Sequence, residues 1–366
     1  MKKTIPVLIL LSGFLIQPAL SQNDSANISY AITDTQNVNI KLFESDDLFE
    51  IALRFDISYY KRKKPDTAYM DAILTYYLGD KDSVNKNIKL KARGEIRRTQ
   101  ICDFPPLALN FSMKDSVAGE FIGINKLKLV PYCRLGYEDY VLREYLIYKL
   151  YNVLTDNSLR VRLLRINFIN TARETKPLRQ YGFAIEPVKL FEKRINSIEL
   201  KSMKLTQRNI KPEMMDRFAI FNYMIGNTDW AVPSLHNALI LSQPFSERPD
   251  LAMIVPFDFD YAGLVNTEYA IPFPNLPIKT VRERLYLAVC RSEDSFKNAL
   301  KEFSDKKEEF YRVINDFPYL KPKSKKDMIN YLDGFFDEFD KRNAIVQALS
   351  QDCRWFEEQS NLKVRE

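Results

Sequence analysis

The sequence predicts an α+β fold of two lobes around a cleft: a strand-rich first half with one embedded helix, then a mostly helical second half. Three observations predict it. Between Val38 and Ile185, apolar residues alternate in short runs broken by turn residues, the period-two signature of strands. Inside that half, Glu138 to Leu154 instead repeats Leu142, Leu146 and Leu150 at helical spacing. From Ser292 onward the pattern is helical, with Phe310, Tyr311, Tyr331, Phe335 and Phe336 as core candidates.

The N-terminus reads as a processing segment. Lys2 and Lys3 precede an apolar run from Ile5 to Ile16, and Ala19-Leu20-Ser21 offers the small residues a signal peptidase needs. Cleavage is expected before Gln22, giving an exported chain. The run is shorter than the roughly 20 apolar residues of a membrane-spanning helix. Residues 22–37 are polar and expected to be flexible; 38–190 form the first lobe and 191–366 the second.

Four cysteines in an exported protein favour disulfides. Of three possible pairings, Cys102 with Cys133 and Cys290 with Cys353 keep each bond within one half. Zinc is disfavoured, because there is no C-x-x-C pair and only one histidine. The net charge of +6, or +4 without Lys2 and Lys3, is too mild to argue for nucleic acid.

In the first half, strands are expected at Val38 to Leu42, Leu48 to Phe55 and Tyr69 to Leu78. Tyr59 to Pro65 reads as a basic loop and Gly79 to Asp82 as a turn. Asn87 to Lys91 is a strand that enters Arg93-Gly94-Glu95-Ile96-Arg97-Arg98. That loop is either an anion-binding turn, where glycine admits the anion to the backbone and arginine grips it, or a charged hairpin. Leu107 to Phe111 and Lys126 to Val130 follow; Lys126 and Lys128 share a strand face, and one of them can look into a cleft. In the embedded helix, Glu144 falls among Val141, Tyr148 and Tyr151. A buried acid needs a partner, and a lysine of the neighbouring strand would serve; otherwise Glu144 lies at the wet edge. Arg162 to Ile169 and Tyr181 to Ile185 are strands, Glu186-Pro187 ends the second, and helix is expected from Asn196.

The most informative stretch runs from Tyr223 to Tyr261. A helix from Pro212 to Ile225 delivers a polar loop with Asn227, Asp229, His236 and Asn237. After one strand and an insert, a second strand ends in Asp258 and Asp260. Two oxygen-rich turns at strand ends can face each other across a hairpin, and such oxygens suit Mg²⁺ bound together with substrate phosphates. His236 either holds the loop or acts as a ligand. Beyond a proline-rich loop, Val281 to Val289 is expected to restart helix.

The pieces Arg93-Gly94, Asn227-Thr228-Asp229, His236-Asn237 and Pro256-Phe257-Asp258-Phe259-Asp260, in this order, resemble the kinase-like proteins of the spore coat protein H (CotH) family. The likeness runs from about Leu42 to Phe336. It implies a two-lobed protein-kinase-like fold that binds ATP with Mg²⁺ or Mn²⁺ and phosphorylates a hydroxyl of a secreted or envelope protein. On that resemblance Asp229 is the catalytic aspartate; Asn237, Asp258 and Asp260 are metal ligands. Lys128, or Lys126 in its stead, contacts phosphate, and Glu144 pairs with that lysine. Arg93 and Gly94 replace a glycine-rich lid, and Glu186 at the hinge joins the nucleotide-binding set. The departures are the eight-residue spacing of Asp229 and Asn237, the missing glycine-rich loop, and DFD for DFG. They keep open a catalytically silent binding protein, and His236 keeps open a phosphoester hydrolase.

Overall fold

The computed structural model describes residues 41–363, except 78–81, 112–118, 202–203, 245–246, 248, 340 and 342–343. The expected leader, the flexible stretch to residue 37, and residues 79–81 of the expected turn lie outside the described residues. The first half contains β1 (Phe49–Phe55), α1 (Ile57–Lys63), β2 (Met70–Tyr77), β3 (Ser83–Ala92), β4 (Leu107–Phe111), β5 (Lys126–Pro131), α2 (Glu138–Leu154), β6 (Val161–Asn170) and β7 (Leu178–Ile185). The second contains α3 (Val188–Arg194), β8 (Ile198–Glu199), α4 (Pro212–Ile225), β9 (Ala238–Ser242), β10 (Met253–Pro256), α5 (Glu293–Asp305), α6 (Lys307–Asn315), α7 (Pro322–Phe336) and α8 (Ala344–Lys363).

Seven strands close into a barrel in the order β1-β2-β3-β4-β5-β7-β6. Closure comes from β1 pairing parallel to β6, with Leu53 opposite Phe168, while the other neighbours are antiparallel. Alternate residues fill the interior: Leu53 and Phe55 of β1, Leu74 and Tyr76 of β2, Leu90 of β3, and Leu107 and Leu109 of β4 share one core. Closure leaves no open edge to template aggregation.

This barrel corrects the expectation of a two-lobed protein-kinase-like fold; the coarser α+β class holds. The larger core also runs through both halves. It joins Val161 and Leu163 of β6 and Phe183 of β7 to α2, α4 and α7. Helix α2 is buried on nearly all sides, from Val141 to Tyr151, so Glu144 sits inside and not at a wet edge. Burying its Leu146, Ile147 and Leu150 contributes about 1.5–3 kcal/mol each.

Three local expectations are also corrected. Tyr59 to Pro65 is not a loop: α1 forms because the Asp56 side chain accepts the Tyr59 amide and Lys64 closes the helix in a left-handed conformation. The segment after Asn196 gives the short β8, which pairs with β9, and not a helix. Val281 to Val289 has no regular structure; Arg282 and Arg284 there lie over the Tyr331 ring, so side-chain contacts replace helical hydrogen bonds. Both expected disulfides form, Cys102–Cys133 and Cys290–Cys353. No described helix is long and apolar enough to cross a membrane.

Candidate functional site

The site is built from one hairpin end. β9 and β10 pair with Ala238 opposite Pro256, so the residues before β9 and after β10 emerge side by side. The Phe257 amide donates to the Asn237 carbonyl at 3.2 Å. Asn237 and Asp258 both adopt left-handed backbone angles, with φ of 50° and 62°. Asn and Asp tolerate this conformation; Leu235, at φ 54°, does so less easily, at a cost on the order of 1–3 kcal/mol. Helix α2 pins the second turn from behind. The Asp258 amide donates to the Tyr148 hydroxyl at 2.9 Å, and the Phe259 ring meets Tyr148 edge-on at 4.7 Å.

The preceding loop leaves α4 at Gly226, whose φ is 67°. A Cβ there would lie 2.0 Å from the Tyr331 hydroxyl, so only glycine fits. The Asp229 amide then donates to Asn227 Oδ1 at 3.1 Å, and Asn227 Nδ2 donates to Asn222 Oδ1 at 2.9 Å. Both Asp229 oxygens are held: Asn237 Nδ2 donates to Oδ2 at 2.9 Å, and His236 Nε2 stands 2.6 Å from Oδ1. Asn237 Nδ2 also donates to the Asp229 carbonyl at 2.8 Å. The hydrogen bond to Asp229 raises the His236 pKa above its usual value, against the opposing pull of burial.

The arginine loop closes the other wall. Gly94, at φ 77°, turns the chain into a π-helical turn from Arg97 to Ile101, and the Cys102 amide donates to the Arg97 carbonyl at 2.7 Å. Arg98 turns outward to Asp66, at 2.7 Å. Arg97 turns inward and meets three acids: Nη2 lies 2.9 Å from Glu144 Oε2 and 3.2 Å from Asp258 Oδ1, and Nε lies 2.8 Å from Asp260 Oδ2. Burial pushes Glu144 up to about 8, with Asp260 and Asp258 adding repulsion against the pull of Arg97. Asp258 keeps 39 % of its side chain open, yet desolvation in the cleft and the nearby Asp260 raise its pKa. Asp260 is also desolvated, but Arg97 and the Tyr269 hydroxyl hold it below the usual carboxylate range.

These elements enclose a cleft of about 210 Å³, lined by Arg93, Gly94 and Arg97 on one side and by Asp229, His236, Asn237, Asp258 and Asp260 on the other. Seven of the sequence-selected positions, scattered from 93 to 260, therefore share one cavity.

Four other expectations are corrected. Glu144 pairs with Arg97 and not with Lys128. The Lys128 ammonium instead lies 5.5 Å from the centre of the Phe257 ring, its pKa lowered by desolvation and by Arg93. Lys126, the alternate, is exposed at the start of β5 and does not line the cleft. Glu186 is buried and committed to Arg194, which binds both of its oxygens at 2.9 and 2.8 Å, and it does not line the cleft. Asp260 lines the cleft with one oxygen, Oδ2, held by both Arg97 and Tyr269. Tyr269 is the site residue that the sequence did not point to; Arg97 was named only as one arginine of its loop and Tyr148 only as part of the α2 stripe. The burial of Glu144 was the available signal, because it demanded a cation nearby.

Among the described residues, no three His, Cys, Asp or Glu side chains group as a ready-made metal cage. Asp258 and Asn237 both line the cleft, and Mg²⁺ needs only one or two protein oxygens completed by substrate phosphate.

No family model matches the chain, and no curated protein matches it. Among solved structures, the chain is similar to the Helicobacter pylori proinflammatory kinase CtkA. The alignment has 13% identity and a TM-score of 0.37, over 72% of this chain and 94% of that one.

Proposed function

We propose that the chain is an exported, CotH-type phosphotransferase, moving the γ-phosphoryl of ATP to a hydroxyl of a secreted or envelope protein with Mg²⁺ or Mn²⁺. One observation carries the reading: oxygen donors and guanidinium groups face each other across a single cleft. A polyphosphate with its cation needs that pairing, since catalysis of phosphoryl transfer is positioning plus electrostatic stabilisation. At about 210 Å³ the cleft is smaller than the 300 Å³ or more typical of whole-ligand pockets, so it suits the phosphate end of a nucleotide.

Asp258 and Asn237 would hold the ion, which would neutralise charge on the transferring group. Arg93 supports the phosphates, with Lys128 next to it. Asp229, fixed by Asn227 and Asn237, orients the acceptor hydroxyl. The hydroxyl oxygen bonds to phosphorus as the bond to the β-phosphate oxygen breaks, and the hydroxyl proton passes to Asp229 at the oxygen His236 now contacts. Incubation with γ-labelled ATP and either cation tests this: label should reach protein, and Asp229→Asn should slow its arrival by about 10²–10⁴-fold.

A second reading, a catalytically silent binding protein, draws on Arg97, which already neutralises the acids. It requires that ATP with Mg²⁺ leave the thermal midpoint unchanged.

A further inference from the structure

We infer that Arg97 is a resident counter-ion of the cleft, and that the cleft takes a divalent cation together with a polyphosphate and not by itself. This rests on the proposed phosphotransfer reading. The guanidinium spans Glu144, Asp258 and Asp260 through contacts of 2.9, 3.2 and 2.8 Å, with 12 % of its side chain exposed. Asp258 is the most open of the three acids, at 39 % against 9 % for Asp260 and 3 % for Glu144. A free cation approaching Asp258 therefore meets a positive charge already seated on the same carboxylate. Like charges at such short range repel strongly where water is scarce.

A polyphosphate changes the balance. Its oxygens accept guanidinium donors as well as carboxylates do, and Arg93 stands on the same wall. When the anion draws Arg97 from Asp258, that carboxylate is released to the cation the anion carries. Cation and polyphosphate then strengthen each other's binding by an equal factor, as linkage requires. Arg97 is a positioning residue in this account. The turn that carries it is tethered behind by the Cys102–Cys133 bond, so the side chain and not the loop makes the exchange.

The test is titration of the full chain with Mn²⁺, read by electron paramagnetic resonance, without and with ATP. The native protein should bind free Mn²⁺ weakly and ATP should tighten it. Arg97→Gln should bind free Mn²⁺ at least about tenfold more tightly, the equivalent of one pKa unit of charge interaction, and gain less from ATP. Should Arg97→Gln fail to fold, Arg97→Lys replaces it: one ammonium on a shorter reach cannot span all three carboxyl groups and leaves the exposed Asp258, so free Mn²⁺ should again bind more tightly than to the native protein. If the folded variant binds free Mn²⁺ no more tightly, the counter-ion role is overturned while the phosphotransfer reading stands. If ATP brings no Mn²⁺ to the native protein, the cation reading of the cleft fails, and this inference with it.

Discussion

Arg97 Nη2 stands 2.9 Å from Glu144 Oε2, and 12 % and 3 % of the two side chains are exposed. The same guanidinium ties the barrel loop to both acids after β10, so one side chain joins the barrel, α2 and the hairpin. Removing one partner of a buried pair strands the others without compensation, which costs about 3–5 kcal/mol. Arg97→Met should lower stability by that amount in urea denaturation. The exposed pair Lys301–Asp305 is the control: Lys301→Met should change it by less than about 1 kcal/mol.

The Glu144 carboxyl is pushed up to about 8 from the ordinary 4.5, so the folded state holds a proton that the unfolded state releases. Its contribution is therefore fully present below pH 4.5 and is lost as the pH rises through about 8. Denaturation midpoints should fall across that window. Glu144→Gln, which cannot ionise, should flatten the fall; an unchanged slope in the variant would refute the assignment.

Asp229 and His236 separate two chemistries. If Asp229 orients the acceptor hydroxyl, Asp229→Asn should slow phosphate transfer by about 10²–10⁴-fold with little change in thermal midpoint. His236→Gln keeps a donor beside Asp229 and should leave most of the transfer rate. A collapse of the rate in His236→Gln, with Asp229→Asn still active, would point to hydrolysis through the histidine.

The Cys290–Cys353 bond closes 63 residues and fastens α8 beneath the loop before α5. Loop-closure entropy for that span corresponds to about 4 kcal/mol. The double change Cys290→Ser with Cys353→Ser should lose stability of that order in denaturant, yet keep nucleotide binding, because neither cysteine lines the cleft.

Much of the site was legible because it depends on local chemistry. Asn227, Asp229, Asn237 and Asp258 sit at strand and helix ends, and the pairing of β9 with β10 follows from two short apolar runs. The disulfides were legible from the even cysteine count. Barrel closure was not. Alternation identifies β1 and β6 as strands, but nothing local says that Leu53 lies opposite Phe168. The two-lobe expectation failed for that reason, and because α2 is buried on nearly all sides and gives both halves one core. The partner of Glu144 was missed for a different reason. Arg93-Gly94-Glu95-Ile96-Arg97-Arg98 offers three arginines, and only the π-helical turn decides that Arg97 points inward while Arg98 meets Asp66.

The central claim is that Asp258 and Asn237 receive a cation carried by a nucleotide. The most direct measurement is calorimetric titration of Mg²⁺-ATP into the native protein and into Asp258→Ala. The account predicts saturable binding to the native chain and loss of it in the variant, with both proteins folded. Equal binding to the two, or none to the native chain, would contradict it.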